Sequence, residues 1–172
     1  MAKSAVQFSP LSVAVLTVSD TRTEQNDTSG DLLVSSLQQA GHALFARSIV
    51  KDDIYAIRAI ISAWIADQAV GAVLLTGGTG FSGRDSTPEA IAPLFDKPID
   101  GFGELFRQLS FDDIGTSTIQ SRALAGFANN TVIFAMPGST GACELAWKRI
   151  LIEQLDSRHR PCNFYGVLEK RL

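Results

Sequence analysis

The stretch 72–90, AVLLTGGTGFSGRDSTPEA, decides the reading of the fold. A short apolar run, Val73, Leu74 and Leu75, stops at a glycine-rich loop, and a helix opens at Pro88. An apolar run of this length bounded by turn residues reads as a buried strand. Gly77, Gly78 and Gly80 allow backbone angles and close approaches that a side chain would block, so their N–H groups can meet an anion. Asp85 offers a hard oxygen ligand for a metal ion, Ser86 or Thr87 can cap the next helix, and Pro88 suits a first helical position. The same glycines and cap also serve a plain strand-to-helix turn, and for the glycines alone that is the better reading. It explains less well why Arg84 and Asp85 stand together between the glycines and the cap. The Gly-Lys-Ser/Thr ending of a P-loop is missing and the glycine spacing is not GxGxxG, so neither label applies.

Outward from this stretch, apolar strands alternate with amphipathic helices, the pattern of a parallel, doubly wound α/β sheet. Residues 11–18 (LSVAVLTV) form the first strand, 29–40 a helix ended by Gly41, and 43–50 the second strand. Asp52 or Asp53 starts a helix whose Ile54, Ile57, Ile60, Ile61, Trp64 and Ile65 make a broad apolar face. After Leu94 the rhythm loosens, with a short helix expected over 103–109. Residues 123–135 hold two apolar runs around Asn129-Asn130, a tight-turn pair, which places an antiparallel element at one sheet edge. Met136-Pro137-Gly138-Ser139 then repeats strand, glycine turn and helix, the helix covering 140–155. Residues 1–10 read as a loose arm and 11–172 as one domain without an internal boundary.

Composition narrows the function. The 172 residues suffice for one domain with a sizeable core, and 45% hydrophobic content argues against disorder. Fifteen Lys+Arg against 18 Asp+Glu leave a net charge of −3 with no basic run, which disfavours nucleic acid as the main partner. Cys143 and Cys162 fit neither a disulfide framework nor a C-x-x-C metal site, so a reducing cytoplasm is the expected compartment. No apolar run approaches membrane-spanning length, and MAKSAVQFSP has no hydrophobic block of a secretory signal.

Sheets of this class bind ligands at the carboxyl ends of their strands, so the loops that follow the strands should converge. After the first strand come Ser19, Asp20, Thr21 and Arg22, leading to Asn26, Asp27, Thr28, Ser29 and Gly30; after the second come Lys51, Asp52 and Asp53. The third contributes 77–87, and the last Pro137, Gly138, Ser139 and Thr140. Hydroxyls and backbone N–H groups donate to phosphate oxygens and aspartates hold Mg²⁺, so the set suits a phosphorylated ligand with a divalent cation. Each loop taken singly is also explained as a capped helix start, with Asp20, Asp27 and Asp52 as favourable charges near helix N-termini. His42 reads as structural, His159 as part of a solvated basic patch with Arg158 and Arg160, and Cys143 as a small hydrophobe. There is no Ser/His/Asp nucleophile elbow and no HExxH motif.

In order along the chain, TVSD at 17–20, DTSG at 27–30, TGGTG at 76–80, RDSTPEA at 84–90, GFGELFR at 101–107 and MPGS at 136–139 resemble the MoaB/Mog proteins of molybdenum-cofactor biosynthesis. The GFGE, STIQSRALAG and RPCNF segments are most similar to the bacterial MoaB branch. The resemblance implies a three-layer α/β/α domain with a mixed, mainly parallel sheet, assembled as a homotrimer or a hexamer of two trimers. It implies Mg²⁺-dependent adenylylation of molybdopterin by ATP, releasing pyrophosphate, with a non-catalytic molybdopterin- or partner-binding role as the alternative. Other enzymes of the pathway are implied as further partners. By position, Asp52 and Asp85 match the acids used for metal binding and catalysis. Family enzymes carry a proline before the first of them; here Lys51 stands there and Asp53 follows, which leaves Asp52 and Asp53 both open. Gly77, Gly78, Thr79 and Gly80 are implied to hold nucleotide phosphates, with Thr87 beside them. Ser19, Asp20, Asp27, Ser29, Gly30, Pro137, Gly138 and Ser139 are implied to line the remainder of the site, toward the pterin. Phe102, Leu105, Phe106, Leu109 and Phe111 exceed what an edge helix needs, which fits a self-associating surface.

Overall fold

The computed structural model of the chain describes residues 7–169. Six strands, β1 (Ser12–Val18), β2 (Ala43–Val50), β3 (Ala72–Thr76), β4 (Lys97–Pro98), β5 (Leu124–Ala128) and β6 (Thr131–Met136), form one sheet in the order β2-β1-β3-β6-β5-β4. The first three and β6 run parallel, while β5 pairs antiparallel with β6 and β4 with β5. The β5–β6 hairpin turns at Asn129 and Asn130, whose φ values of 42° and 68° give the left-handed pair that a two-residue turn demands. β4 went unread because it is two residues long and contains a proline, which only an edge tolerates.

Helices cover both faces. α1 (Thr28–Gln39), α4 (Asp100–Ile114) and α5 (Thr140–Ala146) enclose one core in which Leu33, Leu37, Phe102, Phe106, Phe134 and Trp147 meet. α2 (Ile54–Ala66) and α3 (Thr87–Ile91) enclose the other, with Ile57, Ile61, Trp64, Ile91 and Leu75. The three-layer architecture follows from strands that are apolar on both faces: all six residues of β6 and all five of β3 are buried. α5 continues through a π-helical segment, Trp147–Leu151, and a last turn, Ile152–Gln154, which keeps Trp147, Ile150 and Leu151 on the core.

Three expectations are corrected here. α4 runs from Asp100 to Ile114 and not only over 103–109. Gly103 is buried where a Cβ would lie 2.5 Å from the Ala123 carbonyl, so its smallness allows the helix to pack closely beside β5. Phe102 and Phe106 are core residues and not surface excess. The exposed apolar side chains of this region are Leu105, Phe111, Ile114 and Ile119. Residues 7–10 of the expected arm are tied down: the Ser9 N–H donates to Ser157 Oγ at 2.8 Å, and Phe8 packs on His42 and beneath Arg158. Residues 1–6 lie outside the described residues. Among those described, no helix is long and apolar enough to cross a membrane.

Candidate active site

β1 hands the chain to β2 on one side, while β3 lies on its other side, so the strand order reverses at β1. A crevice opens at such a point because successive loops leave in opposite directions. Here a cavity of about 400 Å³ lies at the carboxyl ends of β1, β3 and β6. Ser19, Arg22, Asp27 and Ser29 line it from the β1–α1 loop, Gly77 to Gly80 and Asp85 from the β3–α3 loop, and Pro137 and Gly138 from the β6–α5 turn. A fourth wall, Ile114, Ser117, Gln120 and Ser121, comes from the 3₁₀ segment Gly115–Gln120 and its neighbours.

The glycine loop is built for its shape. Gly77 has φ +103°, and a Cβ there would meet the Val18 carbonyl at 2.1 Å; Gly78 has φ +64°. Both lie in the left-handed region that favours glycine. Thr87 supports the loop from behind: it is fully buried, its hydroxyl donates to Gly77 O at 2.8 Å and its N–H to Gly78 O at 2.9 Å. It holds the loop and does not line the cavity. Ser86, at the α3 cap position, uses its hydroxyl on Asp52 Oδ1 instead of on the helix.

The Asp52/Asp53 ambiguity resolves spatially. Asp53 is exposed and caps α2, accepting from Ala56 N at 2.8 Å. Asp52 faces the glycine loop: Oδ1 accepts from Ser86 N and Oγ, and Oδ2 lies 2.6 Å from where a Gly78 Cβ would be. Asp85 approaches from the other end, Oδ2 accepting from Ser82 N at 2.8 Å and lying 2.8 Å from a Gly80 Cβ. Each carboxylate thus keeps one oxygen without a hydrogen bond, Oδ2 of Asp52 and Oδ1 of Asp85. Asp85 lines the cavity, whereas Asp52 stands behind Gly78, outside the wall; half-free carboxylates suit Mg²⁺, which takes one or two protein carboxylates and completes its shell with water and phosphate oxygens. Among the described residues no group of three or more His, Cys, Asp or Glu is placed to hold a metal ion.

Other expected residues divide into wall and frame. Ser19 closes a turn by accepting from the Thr21 and Arg22 N–H groups. Asp20 stands at the rim, bridged to Arg84 at 3.0 Å. Ser29 Oγ donates to Gly138 O at 3.0 Å, fastening the β1 loop to the β6 turn. Ser139 caps α5 and lines a neighbouring cavity of about 150 Å³ rather than the main one. Gly30 lies in the first turn of α1, donating to Asp27 Oδ1. Asp27, 1% exposed, also accepts from Thr17 Oγ1 and Arg47 Nη2. Burial pushes its carboxyl up, but the bonds from Arg47, Gly30 and Thr17 outweigh burial and hold it below the ordinary range. Cys143 is buried against Thr76 and its thiol is pushed up to about 11 by burial, so it is inert packing, as expected.

The sequence reading missed Arg47, Gln120 and Arg122. Arg47 sits on a strand and pairs across 20 positions with Asp27, while Gln120 and Arg122 belong to the STIQSRALAG run, noticed as a motif but given no task.

Comparison with known proteins gives the family. Residues 14–157 match the family described as "Probable molybdopterin binding domain". The chain is 56% identical over 170 residues to molybdenum cofactor biosynthesis protein B of Escherichia coli K12, covering 99% of this chain and 100% of that protein. A crystal structure of a molybdenum cofactor biosynthesis protein B superposes with a TM-score of 0.83 at 44% identity over 86% of this chain and 92% of that one. The tungsten cofactor synthesizing protein MoaB of Pyrococcus furiosus gives 0.77 at 33% identity, covering 94% and 96%. With the match spanning most of the sequence and the sheet, the chain belongs to the MoaB/Mog family of molybdenum-cofactor biosynthesis proteins.

Proposed function

We propose that this protein is a Mg²⁺-dependent molybdopterin adenylyltransferase. The terminal phosphate oxygen of molybdopterin attacks the α-phosphorus of ATP, a new P–O bond forms, and the bond to the β-phosphate bridging oxygen breaks to release pyrophosphate. The observation that carries the reading is the placement of Asp52 and Asp85 on either side of the glycine loop, each with one unengaged oxygen. Phosphoryl-type transfer needs little covalent participation from the protein; it needs alignment and charge neutralisation. The N–H groups of Gly78, Thr79 and Gly80 supply donors for the nucleotide phosphates, that of Gly77 being taken by Met136 O, and Arg22 on the cavity wall adds positive charge. Mg²⁺, held by Asp52 and Asp85, would neutralise the phosphate charge. The walls formed by Ser29, Gly138 and Gln120 face the remaining volume, which we assign to the pterin.

A second reading, a non-catalytic molybdopterin-binding protein, is favoured by one feature: Asp52 stands behind Gly78 and has Oδ1 engaged by Ser86. Incubating the purified chain with molybdopterin, ATP and Mg²⁺ separates the two. Adenylylated molybdopterin with stoichiometric pyrophosphate supports the enzyme, and saturable molybdopterin binding without either product supports the binder. We further propose that the chain acts in the cytoplasm as a homotrimer, or a hexamer of two trimers. Phe111, Ile114 and Ile119, respectively 55%, 51% and 73% exposed, form the surface for that association.

A further inference from the structure

Arg122 reaches the β3–α3 loop from the segment before β5 and holds it at five points. Its backbone N–H donates to Thr79 O at 3.1 Å, Nε to Gly80 O at 2.8 Å, Nη2 to Asp85 O at 2.8 Å and Nη1 to the Glu89 carboxylate. Its guanidinium also lies 5.1 Å from the centroid of the Phe81 ring. Between Gly80 and Asp85 the chain bulges outward, and Phe81, Ser82, Gly83 and Arg84 are all exposed. The guanidinium therefore ties the two ends of this bulge together, carbonyl to carbonyl.

The choice of residue follows from this geometry. A planar guanidinium presents two donors at a fixed spacing, whereas an ammonium is a single point that cannot serve both carbonyls in the same way. The Glu89 pair is half-exposed and contributes little, so the charge-assisted bonds to Gly80 O and Asp85 O carry the hold. Arg122 is absent from the cavity wall, while Asp85 is part of it.

We infer that Arg122 is the positioning residue of the phosphate loop, fixing the separation of Gly80 and Asp85 and so aiming the Asp85 carboxylate into the cavity. The structural half of this inference stands on the loop geometry; its catalytic half rests on the adenylylation reading. Cutting the clamp leaves β3, α3 and both cores in place but frees the bulge. The loss falls on transition-state alignment and not on molybdopterin binding, which uses the other walls.

The test compares Arg122→Lys and Arg122→Ala in the full chain, the lysine variant guarding against a failure of the alanine variant to fold. Hydrogen exchange of the Ser82 and Asp85 amides should accelerate by roughly tenfold or more in both while melting stays near that of the wild type. The kcat should fall by about tenfold in the lysine variant and further in the alanine variant, with KM for molybdopterin unchanged and part of the alanine loss restored by added guanidinium. Wild-type exchange rates in both variants overturn the clamp. Accelerated exchange with unchanged kcat overturns its catalytic role, as does a loss that moves KM for molybdopterin equally and resists guanidinium. Absence of adenylylation by the wild-type protein would remove the proposed function and the catalytic half, and the exchange rates would still decide the clamp.

Discussion

Asp85 is held at one oxygen by the Ser82 N–H and offers the other to the cavity, so its shape and its charge can be separated by a single substitution. Asp85→Asn keeps the size and the bond from Ser82 but removes the charge that binds a cation. Adenylylation should fall by at least roughly a hundredfold, about 2.7 kcal/mol of transition-state stabilisation, with molybdopterin affinity retained. Turnover, molybdopterin binding and melting measured on one sample check this, and near-normal turnover would remove Asp85 from the site. A side chain at Gly78 would meet more than an incoming phosphate. A Cβ there would stand 2.5 Å from Thr87 Oγ1 and 2.6 Å from Asp52 Oδ2, at a φ that only glycine adopts easily. Gly78→Val should therefore lose both ATP binding and on the order of 2 kcal/mol of stability by the costs of backbone strain and overpacking. Calorimetric titration with ATP and a urea unfolding curve on the same variant read the two losses independently.

At the level of elements, the β1–α1 connection couples a helix cap to a buried ion pair. Asp27 caps α1 through Gly30 N, and Arg47 of β2 pairs with it at 2.8 Å while its other arm reaches Asp31. Because the folded-state pKa of Asp27 lies below its unfolded value near 3.8, its contribution is present above that pH and is lost as pH falls through the folded pKa. Asp27→Asn should destabilise the protein at neutral pH by on the order of 3 kcal/mol, as expected for a broken buried pair, and flatten the acid limb of stability against pH. The segment before β1 has the opposite chemistry. His42 Nδ1 accepts from Leu11 N at 3.1 Å, and burial lowers its pKa below 6.5 against the opposing pull of Asp156. The unfolded chain then binds the proton more readily, so stability should decline as pH falls below about 6.5 toward the folded pKa. Urea unfolding across this range should show the decline in the parent and lose it in His42→Gln. The extent of α4 was illegible for a related reason: the conformational cost of its glycines is visible in sequence, whereas the close approach to Ala123 that offsets it is not.

For the whole molecule, self-association is the property to measure. Light scattering at micromolar concentration should give three or six chains, and Ile119→Glu, at the most exposed of the three apolar positions, should shift the mass toward one chain without lowering the melting of the monomer fold. A parent mass of one chain would remove the oligomer. The sequence by itself determined the order of the strands other than β4 and of the main helices, the parallel core, the hairpin at Asn129-Asn130 and the glycine loop. Each of these depends on properties local to a few residues: apolar runs, φ preferences and capping groups. It also marked the loops that gather at the carboxyl ends of the strands, since that convergence belongs to the whole class of sheet. Only the tertiary structure decided that Asp52 and not Asp53 faces Gly78, that Thr87 braces the loop from behind and that Phe102 and Phe106 belong to the core. The same holds for Arg47 and Arg122, whose partners lie 16 to 43 positions away. Which way a side chain points and what it meets across such distances is set by the packing of layers and not by its neighbours in the chain.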